Sequence, residues 1–176
     1  ESARGGEALE AARREKLRKI EEMGIDPWGG RFDQQQPIGE VRAREREITS
    51  EPPADAATGR PPEEHGPRVC AAGRIVLMRK AGKLIFLDIQ DWTGQVQVMI
   101  GKKQVGAENW ALAGCFDLGD IIGVEGELKH TRTGELTIFA DALHFLTKSL
   151  EPPPAKHKGI RDHDPQHALG RGVRRG

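Results

Sequence analysis

Residues Leu84 to Ile100, L-I-F-L-D-I-Q-D-W-T-G-Q-V-Q-V-M-I, constrain this chain more than any other stretch. They form two alternating runs on either side of Asp91-Trp92-Thr93-Gly94. Strand side chains point to opposite faces in turn, so Ile85, Leu87 and Ile89 share one face and Leu84, Phe86, Asp88 and Gln90 the other. Val96, Val98 and Ile100 alternate in the same way with Gln95, Gln97 and Met99. The tetrapeptide between the runs has turn chemistry, including a Gly able to take positive φ. The expected product is a hairpin with Asp88 opposite Gln97 and Phe86 beside Gln97, on the face that does not supply the core. An aromatic ring next to an amide on an open sheet face can stack a nucleobase and hydrogen-bond its edge. Taken alone, Phe86 fits equally well as a chance surface aromatic.

The surrounding chain supplies a fold for this hairpin. Glu7 to Met23 is rich in helix formers and free of Gly and Pro, with Gly24 as its stop. Its Arg13 to Lys19 segment, with five basic residues and one acidic, reads either as a solvated face laced with pairs such as Glu15 with Lys19 or as an arm along phosphates. Ile38 to Ile48 is a short helical possibility, and the proline-rich run from Glu51 to Pro67 reads as a surface linker. Arg68 to Arg79 is a strand candidate that bends or bulges at Gly73. After the hairpin, Lys102 to Phe116 reads as a helix whose apolar set is Val105, Trp110, Leu112, Ala113 and Phe116. Gly119 to Leu128 and Glu135 to Leu146 are two further strands, joined by a polar loop, His130 to Gly134. Three strands, a helix and two strands give a mainly β fold, the five-stranded Greek-key barrel of the OB-fold, preceded here by an N-terminal helix. The expected divisions are 1–67 for the helix and connecting segment, 68–150 for the barrel, and 151–176 for a connector with a Gly/Arg-rich tail.

Composition bounds this reading without deciding it. At 176 residues the chain holds one ordinary domain with extensions, and its formal net charge is zero. The charges are unevenly spread: seven Lys/Arg face two Asp from Arg68 to Val105, and three Lys/Arg face seven Asp/Glu from Gly106 to Leu150. A local basic surface is therefore compatible with overall neutrality. Cys70 and Cys115 form no metal or redox pair motif, and a reduced, cytoplasmic chain is expected. No apolar run approaches the ~20 residues that span a bilayer, so no membrane partner is expected. Asp162, His163, Asp164 and His167 resemble a metal cluster on paper, but they lie in a Gly/Arg-rich tail and no metal site is expected there.

Six blocks in order resemble bacterial lysyl-tRNA synthetases. They are R-R-E-K-L-R-K-I-E-E-M-G-I-D-P-W from Arg13, A-G-R-I from Ala72, L-D-I-Q-D-W-T-G-Q-V-Q-V from Leu87, L-G-D-I-I-G-V-E-G from Leu118, T-R-T-G-E-L-T-I from Thr131 and L-T-K-S-L-E-P-P-P-A-K-H-K-G-I-R-D from Leu146. The resemblance implies the anticodon-binding domain of a class II ligase that joins lysine to its tRNA. By the same resemblance Phe86 matches the aromatic that stacks on the central anticodon base and Gln97 the amide that hydrogen-bonds it. Arg79 matches a basic residue near those nucleotides, and Glu135 lies in the region that helps read a flanking base. The partner implied is a lysine-accepting tRNA with a U-rich anticodon, together with a homodimeric assembly.

Beyond Asp162 the chain departs from the pattern and carries none of the class II catalytic motifs. A first residue of Glu rather than Met points to a fragment, and the divergent ending to a truncated or frame-shifted product or a genuine short protein, in each case one that does not aminoacylate alone. It would need no cofactor of its own, with ATP and Mg expected only alongside the catalytic domain. Two other readings stay open: a generic single-strand-binding OB protein, and a remnant acting only in protein interaction.

Overall fold

The computed structural model describes residues 2–53, 57 and 59–151. Helix α1 (Ser2–Glu22) is followed by α2 (Ile38–Ala43), a 3₁₀ turn (Arg44–Glu47) and the short strands β1 (Thr49–Glu51) and β2 (Glu63–His65). Then come β3 (Arg68–Ala81), β4 (Leu84–Gln90), β5 (Gln95–Gly101), α3 (Lys102–Ala113), β6 (Ile121–His130) and β7 (Leu136–Thr147). The five long strands close into a barrel in the order β3-β4-β5-β7-β6, with β3 pairing β6. All neighbours are antiparallel except β5 and β7, which run parallel. This is the mainly β, five-stranded OB-type barrel expected from the strand order, with its helix between β5 and β6.

The hairpin follows its alternation residue by residue. Ile85, Leu87, Ile89, Val96, Val98 and Ile100 are all buried in the barrel, and Asp88 pairs with Gln97. Its turn is held differently from the expectation, because Gly94 does not adopt positive φ. Instead the Asp91 carboxylate accepts from the backbone N–H groups of Thr93 and Gly94 (2.7 and 3.1 Å) and from the Thr93 hydroxyl (2.6 Å). The same tip caps α2, since Ile38 N–H donates to Asp91 Oδ2 (2.9 Å) and Gly39 N–H to Thr93 Oγ1 (2.8 Å). Pro37 offers no side chain for that job, so the helix takes its N-terminal partners from across the chain. Burial pushes the Asp91 carboxyl up, but these bonds outweigh it and hold its pKa below the ordinary range.

Helix α1 ends as its sequence suggests. Gly24 takes a φ of +77°, Gly24 N–H bonds Glu21 C=O (2.9 Å) and Ile25 N–H bonds Ile20 C=O (3.3 Å), a Schellman stop. Ile20 is fully buried and Ile25 packs beside the same core, so the helix lies on the barrel. Its basic segment divides in two. Arg14 and Arg18 pair with Glu10, Glu15 and Glu22 on the exposed side, with Arg18 rather than Lys19 as the partner of Glu15. Arg13 turns inward, 8% exposed, and its Nη1 donates to the carbonyls of Leu118 and Ser149 (2.9 Å each). Lys16 pairs with Asp117 (2.6 Å). Two of the basic residues expected to face solvent or phosphate therefore fasten the helix to the barrel.

The remaining differences are local. The run expected to be a structureless linker contains β2, which pairs with β1 as a two-stranded arm. Helix α3 stops at Ala113, is broken at Gly106 (φ 81°, ψ 171°), and leaves Phe116 buried beyond its end. The bulge expected at Gly73 falls further along β3, as a register shift between Ile75 and Leu77 against β4. On β6, Gly126 sits at a second shift, where an added Cβ would run into the Phe139 carbonyl oxygen. The close approach of β6 and β7 there requires glycine.

Candidate nucleic-acid interface

Outward-facing residues of β3, β4, β5, β6 and β7 border one open cavity of about 710 Å³, walled on one side by the β1–β2 arm. Phe86, Gln97 and Arg79, three of the residues singled out in the sequence, line it together. Arg79 stands opposite Phe86 in the β3–β4 ladder, and its guanidinium carbon lies 4.9 Å from the ring centroid. This is a cation–π contact that occupies one face of the ring. Gln97 is fixed from the neighbouring strand: Thr137 Oγ1 donates to its Oε1 at 2.8 Å. The Gln97 amide nitrogen has no hydrogen-bond partner among the described residues. Glu135, the fourth residue, is exposed in the loop before β7 and outside the cavity lining. Its backbone N–H donates to Thr131 Oγ1 (3.2 Å), and Thr131 does line the cavity.

The sequence pattern did not single out Phe139, Lys129, Met99 or His130, all of which border the same space. Strand parity could have found Phe139, since it alternates with the buried Ile138 and Ala140. Trp92 is 90% exposed at the hairpin tip and borders a different depression with Arg74 and Gln90.

One ionic clasp holds the arm beside the cavity. His130, at the end of β6, approaches Glu45 of the 3₁₀ turn through Nε2 (2.7 Å) and Glu64 of β2 through Nδ1 (3.2 Å), and its backbone N–H donates to Glu64 Oε2 (2.8 Å). The Glu45 hydrogen bond, aided by Glu64, raises the imidazole pKa above its ordinary 6.5 against the opposing effect of burial. A raised folded-state pKa stabilises the clasp fully below the unfolded value, and that contribution is lost as pH rises through the raised value. We expect the His130 ring to titrate above 6.5 by NMR, and Glu45→Gln to lower its midpoint. Protection factors of the β1–β2 amides should fall as pH rises through that window, and a midpoint at or below 6.5 would contradict the clasp.

No group of three or more His, Cys, Asp or Glu among the described residues could hold a metal ion, and Asp162, His163, Asp164 and His167 lie outside the described residues. No helix among the described residues is long and apolar enough to cross a membrane.

A barrel of this topology is an OB-fold, and here one outer face gathers aromatic, amide and cationic side chains. The family model for tRNA anticodon binding, described as an OB-fold nucleic acid binding domain, matches residues 69–146. The lysine–tRNA ligase of Pelotomaculum thermopropionicum is 39% identical over 154 residues, covering 88% of this chain and 27% of that protein. The lysine–tRNA ligase of Bacillus cereus strain AH187 is 41% identical over 150 residues, covering 85% and 28%. Residues 69–146 are thus an OB-fold of the tRNA-anticodon type, and the chain is homologous to lysine–tRNA ligases over 85–88% of its length. The chain spans a little over a quarter of the length of these relatives.

Proposed function

We propose that this chain binds the anticodon loop of a lysine-accepting tRNA and prefers a U-rich triplet, with the central base stacked on Phe86 and its edge met by Gln97. The observation that carries the reading is the placement of Phe86, Gln97 and Arg79 on one outer face of the barrel, bordering one cavity. Arg79 lies against the Phe86 ring, and the ring borders the cavity in which a base would stack. With its oxygen bound by Thr137, the Gln97 amide offers N–H donors, which suit the carbonyl at position 4 of uracil and oppose the amino group at that position of cytosine. Glu135 is the candidate reader of a flanking base. In this reading the chain supplies recognition, and aminoacylation with its ATP and Mg belongs to the rest of the full-length relatives.

The test is a fluorescence titration against two hairpin RNAs, one with a UUU loop triplet and one with the triplet scrambled, at two salt concentrations. Preference for UUU is expected, and Phe86→Ala should cost about 1–3 kcal/mol of that affinity. Equal, salt-sensitive binding to both hairpins would instead mark a generic single-strand binder. Absence of binding at low salt would reject an RNA partner and favour a protein-interaction role.

A further inference from the structure

The outer face carries a second aromatic that the proposed function leaves unused. Arg79 pairs with Phe86, Phe86 with Met99, Met99 with Phe139 and Phe139 with Glu127, so a single row of side chains crosses all five strands. The adjacent row is Leu77, Asp88, Gln97, Thr137 and Lys129. Phe86 and Phe139 therefore stand two strand spacings apart, about 10 Å, with Met99 between them. Both rings border the same cavity, and each has a cation against it: Arg79 on Phe86 at 4.9 Å and Lys129 Nζ on Phe139 at 4.8 Å from the centroid. Phe139 lies on the strand face opposite to Ile138 and Ala140, so the barrel core does not account for its ring. Lys129 also contacts Glu127 at 3.2 Å, but both side chains are partly exposed. Such a pair contributes little in water and does not hold the ammonium against a phosphate.

We infer that Phe139 and Lys129 form a second nucleotide subsite. The ring stacks the base of a nucleotide neighbouring the one at Phe86, and the Lys129 ammonium meets a phosphate of the same single strand. The ligand class is single-stranded RNA crossing β4, β5 and β7. The inference rests on the RNA-binding reading of this face and adds a base platform to it. Stacking asks only for the flat face of a base, so this subsite tightens binding with little preference for base identity.

The experiment places an abasic nucleotide at each loop position of the UUU hairpin in turn and titrates the unaltered chain with each RNA. Two sensitive positions are expected, each weakening binding about tenfold, within the range that loss of a base–aromatic stack produces. Phe139→Leu should bind the intact hairpin about tenfold more weakly and lose its response at one of the two positions, and Phe86→Leu should lose it at the other. Lys129→Met should lower the slope of log affinity against log salt by about one. If only one position is sensitive, or if Phe139→Leu binds like the unaltered chain while Phe86→Leu is weakened, the second subsite is overturned and the proposed function stands. If Phe86→Leu also binds like the unaltered chain, the RNA-binding reading of the face falls as well. The abasic scan uses no variant protein, so its result holds even if Phe139→Leu folds poorly.

Discussion

Lys148→Met should destabilise the domain by about 3–5 kcal/mol, the cost of removing one member of a buried ion cluster and leaving the other uncompensated. The Lys148 and Asp120 side chains are both fully buried, and Lys148 Nζ donates to Asp120 Oδ2 and Asp117 Oδ2 (2.7 Å each) and to the Cys115 carbonyl (3.2 Å). Asp120 also accepts from the backbone N–H groups of Asp117 (2.8 Å) and Ser149 (2.9 Å). Burial pushes the Asp120 carboxyl up in spite of these donors. Burial also pushes Asp117 upward, but bonds from Lys148 and Lys16 outweigh it and hold that carboxyl below its ordinary range. Without the ammonium, two carboxylates would share the site and neither backbone donor could neutralise them. Urea denaturation monitored by circular dichroism checks the value. Asp120→Asn in the Lys148→Met background should restore part of the loss, because it removes the orphaned charge. A single-variant loss below about 1 kcal/mol would show that the cluster contributes no net stability.

The second large effect is expected from Arg13→Met, at about 2–4 kcal/mol, and it should be confined to the helix. The guanidinium makes two charge-assisted bonds to main-chain carbonyls, each of a kind that contributes about 1.5–3 kcal/mol, and methionine keeps most of the apolar stem without them. Because these bonds join α1 to the barrel, their loss frees the helix before the barrel melts. Amide exchange along α1 should quicken while exchange in β4 and β5 stays slow. Arg14→Met is the internal comparison: its pair with Glu10 is exposed, so the change should cost less than about 1 kcal/mol. Equal effects of the two substitutions would refute the docking role of Arg13.

These two residues also show where the sequence stopped being readable. The hairpin was legible because alternation is a property of neighbours: each of Ile85, Leu87, Ile89, Val96, Val98 and Ile100 declared its face within a few residues. Phe86 and Gln97 came with it, since exposed parity marks a possible binding face as clearly as buried parity marks a core. Arg13 and Lys148 are different. Their partners lie 105 and 136 residues away for Arg13 and 28 to 33 residues away for Lys148, so local pattern could not distinguish either from a solvated cation. The β1–β2 arm was hidden for a related reason: its strands are short, exposed and flanked by prolines, and they are fastened through His130, 66 residues beyond Glu64. Phe139 had the correct parity, but its relation to Phe86 depends on the parallel pairing of β5 with β7, which no short stretch encodes.

That parallel pairing also sets when the face can exist during folding. The strands β3, β4 and β5 can join through short connections, whereas β5 meets β7 only after α3 and β6 have been threaded between them. Long-range closure of this kind comes at a high cost in chain entropy and tends to be slow. Until it occurs, Gln97 lacks the hydroxyl that orients it and Met99 lacks its neighbour Phe139. The platform is thus assembled by the last seam of the barrel, and an unclosed chain carries its aromatic residues without the surface that gives them meaning.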